Sequence, residues 1–264
     1  MKELELQGQP VALHENTPAA DSDAPPWLLI HGAGHDHAVW NEVAAGLAAN
    51  GEHVLIPDLP GHGGSGGSPL PDIDAMARWV LALADALGHE RIRLCGHSMG
   101  SLVALAAAGQ APARVDRLAL VGCSVPMPVS PFLLDAAQNE PENAFALINK
   151  FSFAPAEVLG ESRRAGLEAA NLQRMHQQGA RVLASDLNAC NAWQDGLAAA
   201  ARVSCPTLLV SGEFDRMTPA DAVKPLSDSL EKMGCSTRMI VLAGAGHSMM
   251  NEAPDGLVDA LRGA

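Results

Sequence analysis

The turn Gly96-His97-Ser98-Met99-Gly100 constrains this chain more tightly than any other stretch. The apolar run Ile92-Arg93-Leu94-Cys95 leads into it, and the Leu- and Ala-rich stretch Ser101 to Ala108 leads away. The first reads as a strand and the second as a helix. A G-x-S-x-G pentapeptide between strand and helix is a sharp elbow, which lifts a serine hydroxyl above the sheet. The glycines leave out side chains where strand and helix crowd together. The Met99 N–H falls at the helix N-terminus, where amide hydrogens have no partner within the helix.

A serine nucleophile needs a base, an acid that orients the base, and donors for an oxyanion. The rest of the chain offers all three at strand ends. Pro206-Thr207-Leu208-Leu209-Val210-Ser211-Gly212 reads as a strand running into a turn with two carboxylates, Glu213 and Asp215. Arg238-Met239-Ile240-Val241-Leu242 reads as a later strand that runs on to Ala243-Gly244-Ala245-Gly246-His247. Upstream, Trp27-Leu28-Leu29-Ile30 ends in His31-Gly32-Ala33-Gly34, a turn able to supply a second oxyanion donor. The residues alone leave Glu213 and Asp215 as rival acids.

These motifs, together with Asp58-Leu59-Pro60-Gly61-His62-Gly63, resemble those of the α/β-hydrolase-fold serine hydrolases, of the esterase type with a helical cap. The resemblance covers almost the whole chain and speaks to fold and triad, not to substrate. It implies a mostly parallel eight-stranded sheet, covered by helices on both faces, with an inserted all-helical cap. It places the acid at Asp215, giving a Ser98, Asp215, His247 triad, with the backbone N–H groups of Ala33 and Met99 as the oxyanion hole. Such chemistry requires no metal or organic cofactor.

Strands alternate with helical stretches from Trp27 to Gly122, as in a parallel sheet covered on both sides. The alternation stops from Ser124 to about Val203, where prolines 126, 128, 131, 141 and 155 divide a stretch with no strand-like run. The expected organisation is therefore a core of residues 1–124 and 204–264 and a helical cap of 125–203. Glu3 to Gln7 and Val11 to His14 read as edge strands, and Asn16 to Pro26 as a loop.

Methionines gather near the motif loops, and Met127, Met217 and Met249, with Trp193, are expected to line an apolar substrate pocket. His31 is expected to tie neighbouring loops. Asp36 should cap the following helix, and His35 and His37 lack a third metal ligand. Asp186 and Asp195 read as helix caps or solvated groups. The glycine-rich stretch 61–67 lacks a Gly-Lys-Ser/Thr ending, so it is not a phosphate loop but a turn close to the elbow.

A formal net charge of −13 argues against an extended nucleic-acid surface. The five cysteines form no C-x-x-C pair, the N-terminus has no apolar signal core, and no apolar run approaches spanning length. A cytoplasmic enzyme without membrane association is expected, of unassigned oligomeric state. Its expected substrate is a small or medium apolar ester or related acyl compound. A C–C bond hydrolase of the meta-cleavage-product type, a lactonase or amidase, and a non-catalytic ligand receptor are the alternatives. The chain contains no Tyr to activate an epoxide, and the serine argues against the Asp-dependent branches of this fold.

Overall fold

A computed structural model describes residues 4–17 and 24–263. Glu3 and the loop residues 18–23 of the sequence reading lie outside the described residues. The strands are β1 (Leu4–Leu6), β2 (Gln9–Val11), β3 (Leu13–Asn16), β4 (Trp27–Ile30), β5 (Val54–Pro57), β6 (Ile92–His97), β7 (Val115–Val121), β8 (Thr207–Gly212) and β9 (Thr237–Leu242). The main sheet has the order β3-β5-β4-β6-β7-β8-β9. β3 runs antiparallel to β5, and every other neighbouring pair is parallel.

Among the described residues the sheet has seven strands and not the expected eight. β1 and β2 instead form a separate hairpin, turned through Gln7 and Gly8 at φ 55° and 75°. Pro10 in β2 has no N–H to offer a sheet neighbour, and its carbonyl accepts from Gly66 N–H of the glycine-rich loop at 2.9 Å. That loop, not the main sheet, covers the hairpin edge.

β4, β5, β6 and β8 are buried along their whole length, as strands covered on both faces must be. One face packs Trp79, Leu102, Ala199 and Leu226 into a core with Leu28, Leu94 and Leu209. These come from the helices Ile73–Ala86, Met99–Gln110, Gly196–Ala200 and Lys224–Lys232. The other face packs Val43 and Leu47 of helix Asn41–Ala49, and Leu257 and Leu261 of helix Pro254–Arg262, against Leu29, Cys95 and Val210.

The register places the chemistry at one edge. Ile30 pairs with Gly96, His97 with Val121, Val121 with Val210, and Val210 with Ile240. The turns after β4, β6, β8 and β9 therefore leave the sheet side by side. Such a row of carboxyl ends is where ligands bind in open α/β sheets.

Between β7 and β8 the chain forms the helices Pro131–Asn139, Pro141–Ser152, Ala156–Leu159, Glu161–Gln178, Ala180–Ala192 and Gly196–Ala200, with no strand. Phe145, Ile148, Met175, Leu183 and Leu187 give this segment a small apolar cluster of its own. All five cysteines are buried and unpaired. Among the described residues, no helix is long and apolar enough to cross a membrane.

Candidate active site

Ser98 sits between β6 and helix Met99–Gln110 at φ 52°, ψ −118°. A non-glycine residue held there costs about 1–3 kcal/mol and persists only where its surroundings enforce it. Here its N–H donates to Val121 O at 2.9 Å, and its carbonyl accepts from the Ser101 N–H at 2.8 Å and the Ser101 hydroxyl at 2.5 Å. A Cβ at Gly96 would overlap the Gly100 carbonyl, and one at Gly100 would overlap the Ile30 carbonyl. Glycine at both positions lets helix, elbow and β4 pack this closely.

His247 follows β9, and its Nδ1 lies 2.8 Å from Asp215 Oδ2. Asp215 follows β8, and its Oδ1 accepts the N–H groups of Met217 and Thr218, each at 2.9 Å. The Thr218 hydroxyl donates to Oδ2 at 2.8 Å. Burial alone would raise the Asp215 pKa, but the His247 charge and hydrogen bond, with the Thr218 donors, outweigh it and hold the pKa at about 2. Asp215 is therefore an acceptor, and it fixes the His247 tautomer with hydrogen on Nδ1. The other ring nitrogen, Nε2, is buried and has no hydrogen-bond partner among the described residues. The rival carboxylate, Glu213, is exposed and accepts the Gly244 N–H at 2.8 Å.

The turn after β4 is closed by His35 N–H donating to Gly32 O at 3.3 Å. His31 is buried beneath it, donating from Nδ1 to Gly32 O at 2.9 Å and accepting the Leu59 N–H on Nε2 at 3.1 Å. Burial, then the His62 charge, lowers its pKa to about 3, so it ties these loops as a neutral ring. Among the described residues, no group accepts the N–H of Ala33 or of Met99.

Ser98, His247, Gly32 and Ala33 line one cavity of about 450 Å³. Its walls are largely apolar: Met127, Val129, Leu133, Ile148, Phe151 and Leu187. Arg216 lines its rim, with the guanidinium carbon 4.9 Å from the Phe151 ring centre. Of the expected pocket residues, Met127 and Met217 reach the cavity. Trp193 and Met249 do not. Trp193 packs into the core beneath helix Gly196–Ala200, because the chain has already turned back to the sheet by residue 193. Met249 is fully buried on the opposite sheet face, with Trp40 and Leu257.

Several residues that hold the site were not singled out from sequence. His97, between β6 and Ser98, bonds through Nε2 to the His247 carbonyl at 2.8 Å. Glu252 accepts the Gly246 N–H at 3.0 Å and the Ala154 N–H at 2.7 Å, joining the His247 loop to the helical segment. Asp186 is neither a helix cap nor solvated: it is fully buried, accepting the Gly34 N–H at 2.8 Å. Asp195 is exposed, and Asp36 caps the short helix His37–Trp40 by accepting the Ala38 N–H. The glycine-rich loop bonds to the N-terminal strands and to Gln178, not to the elbow. His37 donates from Nδ1 to Asp58 at 2.8 Å.

A profile of the family described as the alpha/beta hydrolase fold matches residues 25–254. The chain belongs to the α/β-hydrolase family. A 2-hydroxy-6-oxononadienedioate/2-hydroxy-6-oxononatrienedioate hydrolase 2 of Pseudomonas putida is 30% identical to this α/β-hydrolase over 237 residues, 83% of this chain and 79% of that protein. The enol-lactonase from Burkholderia xenovorans LB400 superposes with a TM-score of 0.85 at 24% identity, covering 99% of this chain and 98% of that one. A further match is local. The dihydrolipoyllysine-residue acetyltransferase component of an acetoin cleaving system of Pseudomonas putida is 43% identical over 97 residues. That stretch is 36% of this chain and 26% of the matched protein's length.

Proposed function

We propose that this α/β-hydrolase cleaves small or medium carboxylic esters through an acyl-enzyme on Ser98. The observation that carries the reading is the His247 ring. Asp215 holds its Nδ1, while its partnerless Nε2 belongs to a residue that lines the same cavity as Ser98. In free enzymes such catalytic contacts are often open and tighten when substrate binds.

In this reading Ser98 Oγ attacks the ester carbonyl carbon while His247 Nε2 takes the hydroxyl proton. The carbonyl electron pair moves to oxygen, where the N–H groups of Ala33 and Met99 receive it. Each such donor is typically worth about 3 kcal/mol in the transition state. The tetrahedral intermediate collapses, and the imidazolium gives its proton to the departing alcohol. Water, deprotonated by His247, then attacks the acyl carbon; the second tetrahedral intermediate breaks its bond to Ser98 Oγ, the carboxylic acid leaves, and the imidazolium returns the proton to Ser98. Asp215 stays ionised and stabilises the imidazolium.

Residues 125–203 act as a cap in this reading, since the helical segment supplies most of the apolar wall opposite the elbow. That wall suits an uncharged acyl chain. The five unpaired cysteines favour work in a reducing compartment such as the cytoplasm.

A fluorophosphonate probe, with the modified peptide identified by mass spectrometry, tests the nucleophile. Labelling at Ser98 together with hydrolysis of C2 to C8 p-nitrophenyl esters is expected. A folded protein that is not labelled refutes the reading. Cleavage of C–C bonds is the second reading, favoured by the 30% identity to the Pseudomonas putida hydrolase whose name places it on a 2-hydroxy-6-oxo dienedioate. A vinylogous diketone turned over faster than every ester in the panel would move the assignment there.

A further inference from the structure

Asp186 lies within helix Ala180–Ala192 with none of its surface exposed. Its Oδ2 accepts the Gly34 N–H at 2.8 Å and faces His62 Nε2 at 2.9 Å. The other His62 nitrogen, Nδ1, faces Pro60 O at 3.1 Å. A carboxylate and a carbonyl can only accept, so satisfying both contacts requires hydrogen on both ring nitrogens. The two contacts favour the charged ring, paired with Asp186. Burial works against that charge, but the Asp186 carboxylate outweighs burial and raises the His62 pKa.

A buried ion pair is a poor stabiliser compared with apolar packing of the same volume. What distinguishes this one is its location. Gly34 directly follows Ala33 in the turn Gly32–His35, and Ala33 lines the cavity beside Ser98. Gly34 holds φ +66°, and Leu183 of the same helix lies against it. A second tie runs alongside. Gln178 accepts the Gly63 N–H and donates to Asp36, each at 2.8 Å. The helical segment thus grips both loops that flank the oxyanion turn.

We propose that Asp186 is a positioning residue for the oxyanion hole. Its bond to Gly34 sets the turn so that the neighbouring Ala33 N–H points at the oxyanion, and His62 holds the carboxylate on Gly34. Seating of the helical segment and competence of the oxyanion hole are then one event. The inference rests on the reading of Ser98 as nucleophile and Ala33 as donor.

The test compares wild type, Asp186→Asn and Asp186→Ala in three measurements. These are the rate of fluorophosphonate labelling at Ser98, the affinity for a short alkyl trifluoromethyl ketone, and the affinity for the matching secondary alcohol. The ketone carbon bonds to Ser98 Oγ, the serine proton passes to His247, and the former carbonyl oxygen becomes an oxyanion. The alcohol fills the same pocket without making one. Displacing an oxyanion donor typically costs on the order of 10²-fold, and a partial misplacement less. Asp186→Ala is expected to label about 10- to 100-fold more slowly and to bind the ketone weaker by a similar factor, with alcohol affinity within about threefold. Asp186→Asn keeps a neutral acceptor and is expected to fall between, at about 3- to 10-fold. A folded Asp186→Ala that labels at the wild-type rate overturns the inference. So does a variant whose alcohol and ketone affinities fall equally, which marks a merely structural role. If Asp186→Ala does not fold, Asp186→Asn decides by the same comparison. Wild type that is not labelled at Ser98 overturns the proposed function, and this inference with it.

Discussion

His97 Nε2 lies 2.8 Å from the carbonyl oxygen of His247, so the residue before the elbow serine holds the backbone of a residue that lines the same cavity as that serine. The two rings are tilted at 53° with centroids 4.7 Å apart. Burial, followed by the nearby His247 charge, lowers the His97 pKa well below the ordinary histidine range. His97 is therefore a neutral donor. His97→Ala would leave the buried carbonyl unpaired, at a cost of about 1–3 kcal/mol in stability. It should also lower kcat about tenfold, because His247 loses a positioning contact. Urea unfolding and steady-state kinetics on one ester would check both. A variant with wild-type kcat would show that Asp215 alone suffices to orient the ring.

Ser98→Ala should abolish ester turnover, by about 10⁶ in kcat, and leave the circular dichroism spectrum unchanged. Ser98→Gly should be equally inactive yet more stable. At φ 52°, ψ −118° the serine Cβ is a steric burden that glycine lacks. Relief of about 1 kcal/mol is expected, read as a higher Tm than that of Ser98→Ala. Equal melting temperatures for the two variants would show that the elbow relaxes around alanine.

Asp215 should govern acid stability. Its folded pKa of about 2 lies below the ordinary aspartate value of 3.8. The protein binds this proton more weakly than the unfolded chain does. The resulting stabilisation is present above the unfolded value and is lost as pH falls through about 2. The difference corresponds to about 2 kcal/mol. Wild type should therefore lose stability between pH 4 and pH 2 more steeply than Asp215→Asn, measured by urea midpoints at each pH. Asp215→Asn should also lose roughly 10³- to 10⁴-fold in kcat, because it favours the wrong His247 tautomer. Parallel stability curves for the two proteins would contradict the lowered Asp215 pKa.

The elements most legible in the sequence were those with local signatures. Apolar strands ending in glycine-bearing turns announced β4, β6, β8 and β9, and the turns after them come together in space. Thr218 had a local signal too: an Asp followed two and three residues later by N–H groups it can accept is a common turn. Asp186 and Glu252 had none. Each has a partner far along the chain, Gly34 at 152 residues and Ala154 at 98, and a carboxylate bound for the interior looks like one bound for solvent until those partners arrive. The pocket was half legible for a related reason. Met127, Met217, Met249 and Trp193 all suit apolar surroundings, and composition does not distinguish a cavity wall from a packed core.

That distinction makes the last prediction. Met127 and Ile148 line the cavity on one side and pack into apolar clusters on the other, whereas Trp193 packs into the core without reaching the cavity. Shortening a residue with one side on the cavity enlarges a space that already exists, so fewer packing contacts are lost than at a site packed all round. Met127→Ala and Ile148→Ala should each cost less stability than a typical core truncation. They should shift relative kcat/KM toward longer acyl chains by about tenfold or more per substitution, since one methylene in an apolar pocket is worth about 1–3 kcal/mol. Trp193→Ala should do the reverse. It empties a packed site against Val125 and helix Gly196–Ala200 and should cost about 3–5 kcal/mol, with chain-length preference unchanged where the protein remains folded. A panel of C2 to C8 esters read beside thermal unfolding separates the two outcomes. Unchanged preference in both Met127→Ala and Ile148→Ala would refute the assignment of the cap as the specificity wall.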